Sequence, residues 1–406
     1  MNVRSSLMKS AAIGSIPSPA TLPIPIVRRR AHVLHVIEAT LGGSMRYVDT
    51  VISTTAGLPF QFSLAYATLR ATPALEVALQ KARNCGWQTF QIEMTRNVML
   101  RQDLRSAIDL VKLYHQLRPD IVHCHSSKAG ALGRVASLCS PFHRPRLIYT
   151  PHAVAARLGK QYLFAERALV PLTTRMVAVS DSEADELMAL KLTSPGKFNV
   201  VHPVVDCDYF NVWERSQARL ALGLPLDIPV IVAVGRMTAQ KAPFAFLPIL
   251  KKVIAEFPQA RGIWVGDGEL KEKFFEAARQ QGLEDKVTVT GWRNDVRPWI
   301  AAADLLLSTS EYESFGYMVA EALAMERPVV ATNVTGTCDI MSAELAPFLF
   351  PPGDTTRAAE LIGGLLRSPG LSTRCGRIGR EKVAERFGSA AMRNSLDVLY
   401  SQLLRT

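Results

Sequence analysis

Short apolar runs recur along this 406-residue chain, each followed by a loop and a longer amphipathic stretch. In the first half they are "HVLHVIE" (32–38), "TFQIEM" (89–94), "DIVHCHS" (120–126), "RLIYTPH" (146–152) and "RMVAVS" (175–180). In the second they are "IPVIVAVG" (228–235), "GIWVGDG" (262–268), "KVTVTG" (286–291), "DLLLSTS" (304–310) and "RPVVAT" (327–332). A strand that is apolar along its length has both faces covered, and helices between such strands impose parallel pairing. The expected fold is therefore α/β, with two Rossmann-like, doubly wound domains facing each other across a cleft. The length also favours two cores over one. Between the strands, Leu104, Ile108, Val111 and Leu117 recur at helical spacing up to Arg118-Pro119.

The expected divisions are a mobile leader (1–30), a first domain (31–205), a second domain (206–385) and a C-terminal helix (386–406) able to pack back on the first domain. Four prolines between positions 17 and 25 exclude a continuous helix in the leader. A broken apolar region without a convincing cleavage site disfavours a signal peptide. Beyond residue 30 no run of 18 uncharged apolar residues occurs, so no spanning helix is expected. Six scattered cysteines with no CxxC pair fit a reducing compartment and suggest neither a disulfide framework nor zinc.

The net charge of +11 is uneven. Residues 1–205 hold 24 Lys+Arg against 12 Asp+Glu, whereas residues 206–406 hold 23 against 24. The first half is thus expected to meet an anionic surface, either nucleic acid or acidic lipid. No nucleic-acid-binding motif or basic-aromatic ladder supports the former. Arg101, Arg105 and Lys112 lie on or beside one helix, and residues 157–176 mix cations with Tyr162, Leu163, Phe164 and Leu169. Such a mixture suits an acidic membrane interface.

Ligands of doubly wound sheets sit beyond the carboxyl ends of the strands. There, "STSEYESFGYMVAEALAMERPVVAT" (308–332) carries Glu313 and Glu321 on either side of Ser314-Phe315-Gly316. A helix starting near Phe315 would aim free N–H groups at the strand ends, and Gly316 would let an anion approach closely. Carboxylates beside such an anion site would contact hydroxyls rather than phosphates. Phosphates flanked by two sugars, as in a nucleotide-sugar, meet both demands. Arg236 and Lys241, after the strand 228–235, would hold the diphosphate and stabilise charge as it leaves.

"VGRMTAQKA", "VGDGEL", "VTGW" and "EYESFGYMVAEALAMERPVVAT" resemble, in order and spacing, the second domain of retaining glycosyltransferases of family 4, which have the GT-B fold. "IEATLGGSMRYV" (37–48), "RPDIVHCHSSKAGALGR" (118–134), "TPHA" (150–153) and "VAVSDSE" (177–183) are similar to landmarks of its first domain. The resemblance spans about residues 32–400. It implies that Glu313 contacts the donor sugar and Glu321 the nucleotide ribose. It also implies that Arg236, Lys241 and the backbone of Phe315 and Gly316 bind the diphosphate, with Ser314 beside them. Gly42-Gly43 would close over the phosphates, and His152 would line the sugar and acceptor side. Two departures are Pro203-Val204-Val205-Asp206, where the family often has Asn-Gly-Val-Asp, and Lys241-Ala242, where Lys-Gly is common. The second should be harmless unless the position requires positive φ.

The implied reaction moves a sugar, with retention, from a nucleotide-diphosphate sugar to an acceptor hydroxyl. The favoured acceptor is a polyprenyl-diphosphate-linked saccharide of bacterial surface polysaccharide assembly, met at the cytoplasmic face of the membrane. No metal or other cofactor is expected, because cations and the helix terminus would do a metal's work. Arg293, in the loop 291–295, is expected near the base. A nucleotide-sugar epimerase or hydrolase on the same fold is the alternative; a nucleic-acid-binding protein is a more distant one. Asp206-Cys207-Asp208 spells D-x-D but falls in the expected linker. His123 and His125 would share a face, with no third ligand evident for zinc. Gly266-Asp267-Gly268 fits a tight turn as well as a ligand contact.

Overall fold

The computed structural model describes residues 29–140, 144–153 and 159–405. The proposed leader, apart from its last two residues, and Arg157 lie outside them. The first sheet has seven strands: β1 (Ala31–Ile37), β2 (Phe60–Tyr66), β3 (Gln88–Gln91), β4 (Ile121–His125), β5 (Arg146–Thr150), β6 (Arg175–Ala178) and β7 (Phe198–Val200). The second has six: β8 (Val230–Val234), β9 (Arg261–Val265), β10 (Val287–Val289), β11 (Leu305–Ser308), β12 (Val329–Thr332) and β13 (Leu349–Phe350). Every pairing is parallel, in the orders β3-β2-β1-β4-β5-β6-β7 and β10-β9-β8-β11-β12-β13. Strand order therefore reverses between β1 and β4 and between β8 and β11. The crevices at these two points are where such sheets take ligands; the loops after β1, β8 and β11 carry candidate residues, and His152 follows the neighbouring β5.

The ten expected strands are present, and β2, β7 and β13 are additional. Ser63 interrupts the apolar character of β2, yet the strand lies beside β1, where the buried Ser63 hydroxyl and His32 Nε2 hydrogen-bond at 2.8 Å. A polar residue satisfied in this way is compatible with a core strand. The helix Leu100–Leu117 forms as its spacing predicts, but with a different face inward. Ser106, Leu110, Leu113 and Tyr114 are buried, whereas Leu100, Leu104 and Ile108 are exposed. The expected apolar stripe is thus divided: Leu104 and Ile108 face outward, whereas Val111 and Leu117 pack against the core.

The C-terminal helix Ser389–Arg405 packs over the first sheet. It buries Leu396, Leu399, Tyr400 and Leu403, and Arg393 donates to the Thr54 carbonyl at 2.9 Å. The chain therefore passes between the two sheets twice, near Val205 and near Phe387. The crossings are tied together by Val205 N–H donating to Phe387 O at 2.9 Å. Pro203–Asp206, the first departure from the family pattern, forms part of this crossing. Asp206 Oδ1 accepts from the N–H groups of Asp208 (2.9 Å) and Tyr209 (3.0 Å), so the first carboxylate of D-x-D shapes a turn.

Candidate active site

The strand ends face a cleft of about 1970 Å³, lined from the first domain by Gly42, Gly43, Arg46 and His152, and from the second by Arg236, Lys241, Glu313, Gly316 and Glu321. A pocket for one small ligand is about 300–1,000 Å³, so this space is larger than a single small ligand needs.

On the second wall, Gly316 (φ 100°) caps the helix Tyr317–Ala324, which begins two residues later than expected. Val319 and Ala320 N–H donate to Gly316 O at 3.0 and 3.2 Å, and the N–H groups of Tyr317 and Met318, which an α-helix leaves without an intrahelical acceptor, concentrate positive potential in the cleft. Phe315 is buried against Phe387 and Tyr317, so its side chain belongs to the core and only its backbone can serve a ligand. Ser314 donates to the His152 carbonyl at 2.8 Å, a bond joining the two walls. Glu313 accepts from Ser310 Oγ at 2.8 Å and is ion-paired with Lys241. The Lys241 loop is pinned to the Glu313 loop by Thr309 Oγ1 donating to Lys241 O at 2.9 Å and Glu311 N–H donating to Gln240 O at 2.8 Å. Arg236 is exposed at the rim. Arg293 lies in the cleft-lining loop, its guanidinium 5.7 Å from the Trp299 ring centroid.

Gly266 has φ 148°, and a Cβ there would fall 2.0 Å from Gly235 O, so this glycine serves the close approach of two loops. Ala242 has φ 44°, the left-handed region. The condition under which replacing the family glycine is harmless does not hold, and alanine at this position costs about 1–2 kcal/mol.

Glu321 is completely buried, and burial raises its pKa above the ordinary carboxylate range. Arg46, from the first domain, is its ion-pair partner. Nothing in the local sequence announces this contact: Arg46 lies one turn into the helix Gly42–Thr54 and meets a residue 275 positions away only because the domains face each other.

The first wall differs in character. His152 (φ 59°) sits at the cleft, and its Nε2 is 3.2 Å from His125 Nδ1. His125 Nε2 is 3.0 Å from His35 Nδ1; Tyr400 OH lies 3.4 Å from His35 Nε2 and 3.1 Å from His123 Nδ1; His123 Nε2 is 2.8 Å from Thr150 Oγ1. Burial depresses the pKa of all four imidazoles, that of His35 to about 3. His35 is the third imidazole that sequence spacing could not reveal, and it brings the ring nitrogens of His35, His123 and His125 within metal-cluster spacing. Each of those six nitrogens, however, already has a hydrogen-bond partner. The cluster is accounted for as a neutral hydrogen-bonded chain running from the C-terminal helix to the cleft.

Residues 29–209 match the sequence model of Glycosyltransferase Family 4, and residues 228–368 that of Glycosyl transferases group 1. The Escherichia coli UDP-Gal:alpha-D-GlcNAc-diphosphoundecaprenol alpha-1,3-galactosyltransferase is 28% identical over 276 residues, covering 65% of this chain and 71% of that protein. A D-inositol 3-phosphate glycosyltransferase of Mycobacterium marinum is 30% identical over 309 residues, covering 70% of this chain and 63% of the relative. Among solved structures, a glycosyltransferase from Rickettsia africae superposes with a TM-score of 0.77 at 19% identity, covering 93% of this chain and 99% of its own. Anabaena HepE in complex with UDP and glucose does so with a TM-score of 0.77 at 18% identity, covering 91% and 99%. The paired parallel sheets, the cleft and these matches together make this chain a GT-B glycosyltransferase of the group 1, family 4 type.

Proposed function

We propose that the chain transfers a sugar, with retention, from a nucleotide-diphosphate sugar to a hydroxyl of a polyprenyl-diphosphate-linked saccharide. The observation that carries this reading is Glu313 and Glu321 bracketing the start of the helix Tyr317–Ala324 in a cleft that also holds Lys241 and Arg236. The diphosphate lies at the helix start; the donor sugar reaches Glu313 and the ribose Glu321. The bond from sugar C1 to the β-phosphate oxygen breaks, and the acceptor oxygen bonds to C1 on the same face. The acceptor proton passes to a phosphate oxygen. Lys241, Arg236 and the helix terminus stabilise the departing charge, and the reaction proceeds without a metal. Turnover is therefore unchanged by EDTA, and a dependence on added Mg²⁺ or Mn²⁺ overturns that part.

The lipid-linked acceptor is supported by the name of the E. coli relative, whose substrate is a diphosphoundecaprenol saccharide. It is supported also by the first domain's surface. Val98, Leu100 and Leu104 are 73%, 83% and 61% exposed, beside Arg101 and Arg105, and Phe164 is exposed as well. Apolar side chains interleaved with cations suit anionic lipid, whereas Leu163 packs on the core and Lys112 pairs with Asp109. Among the described residues no helix is long and apolar enough to cross a membrane. We place the enzyme peripherally at the cytoplasmic face, in bacterial surface polysaccharide assembly. The test supplies a polyprenyl-diphosphate GlcNAc acceptor with UDP-, GDP- and ADP-sugars in turn. Anomer-retained product with one donor is the expected result. Donor hydrolysis or epimerisation at the same rate without acceptor overturns it. Sedimentation with anionic vesicles at low salt, lost in Leu100→Ser/Leu104→Ser, tests the membrane assignment.

A further inference from the structure

The two acids that flank the start of the helix Tyr317–Ala324 are each paired with a cation: Glu313 with Lys241 and Glu321 with Arg46. The second pair is anomalous in its placement. The Arg46 guanidinium sits 4.4 Å from the ring centroid of Tyr317, the first residue of the helix whose start is the positive end of a dipole. A cation there is disfavoured by the helix. It is tolerated because a completely buried Glu321 without a partner would cost several kcal/mol.

We infer that Arg46 is a donor-binding residue that works by exchange: it is paired with Glu321, and on donor binding it passes from Glu321 to the diphosphate. This rests on the donor placement proposed above. The ribose diol supplies two hydrogen-bond donors to the Glu321 carboxylate and so takes over its satisfaction. The diphosphate, arriving at the helix start, supplies the anion that the released guanidinium requires, and a guanidinium grips phosphate oxygens two at a time. The movement is short. Arg46 already lies over the first turn, its side chain is about one-third exposed, and a Cβ at Gly43 of the same helix would meet the Tyr317 ring at 3.4 Å. No charge is left buried and unpaired at either end of the exchange. Donor binding thereby trades a bond between the two domains for one that includes the donor.

Exchange predicts opposite effects on two ligands. Binding of UDP and of uridine is measured for wild type, Arg46→Ala and Arg46→Lys, with thermal melting as the folding control. Arg46→Ala is expected to weaken UDP at least tenfold, since a diphosphate contact is lost. The same change is expected to tighten uridine severalfold, since the ribose no longer competes for Glu321. Arg46→Lys, which keeps the charge without the fork, falls between wild type and Arg46→Ala for UDP. If both ligands weaken, Arg46 is structural; if both tighten, it is only a plug; if neither changes, it is uninvolved. Each of these overturns the exchange. A wild-type protein that binds none of UDP, GDP and ADP overturns the donor reading itself; where GDP or ADP is preferred, that diphosphate and its nucleoside replace UDP and uridine.

Discussion

The two walls of the cleft solve the same burial problem in opposite ways. The first wall holds neutral imidazoles and hydroxyls joined in a chain: His152, His125, His35, Tyr400, His123 and Thr150. The second holds full charges in pairs, Lys241 with Glu313 and Arg236 nearby, with Glu321 ion-paired from the opposite side to Arg46. A neutral chain is satisfied by its own members and has no need of a ligand. Charge pairs can be redistributed when an anion and hydroxyls arrive. The contrast leaves the charges that the proposed donor would redistribute on the second wall, with Arg46 reaching them from the first domain.

The largest expected effect comes from the charged wall. Glu313→Ala should lower kcat about a thousandfold, roughly 4 kcal/mol in barrier, while nucleotide affinity stays within about threefold, or about 0.7 kcal/mol. Steady-state turnover and calorimetric binding of the nucleotide diphosphate separate the two, and near-normal turnover removes Glu313 from the chemistry. Acid should act next, and on the other wall. His35 has a pKa of about 3 in the folded protein against 6.5 as the ordinary value. Below 6.5 the unfolded chain therefore takes up protons that the fold excludes. The stability from this site is complete above pH 6.5 and is lost progressively as pH falls toward 3. Hydrogen exchange, corrected for intrinsic rate, should show β1 and β4 losing protection between pH 7 and 5 before β8 and β11 do; the reverse order breaks the comparison.

Tyr400→Phe cuts the neutral chain at one hydroxyl and leaves nitrogens of His35 and His123 unpartnered. A loss of about 1–3 kcal/mol in denaturant unfolding is expected. The smallest effect is a gain. Ala242→Gly relieves the left-handed backbone at φ 44° and should stabilise by about 1 kcal/mol. A destabilised variant would show that the methyl group's packing outweighs the strain.

These residues also mark how far sequence reaches. The alternation of apolar runs with helical stretches gave the two parallel sheets because burial of both strand faces is a local property. Glu313, Lys241 and Gly316 were legible because their spacing after a strand is set by that local geometry. The face of the helix Leu100–Leu117 was not, because a stripe of Leu and Ile reads alike whether it meets a core or something outside the chain. Arg46 and His35 were invisible for another reason: each acquires its meaning from a residue distant in sequence, across a cleft or a strand pairing. Strand order, which places four cleft-lining loops at two reversal points, is likewise absent from any window of sequence.

The paired crossings at Val205 and Phe387 have a mechanical consequence. Two polypeptide segments side by side, hydrogen-bonded to each other, behave as a door hinge with two knuckles rather than as a tether. Swinging about their common line leaves both covalent paths and the helix over the first sheet undisturbed, whereas sliding one half past the other would shear them.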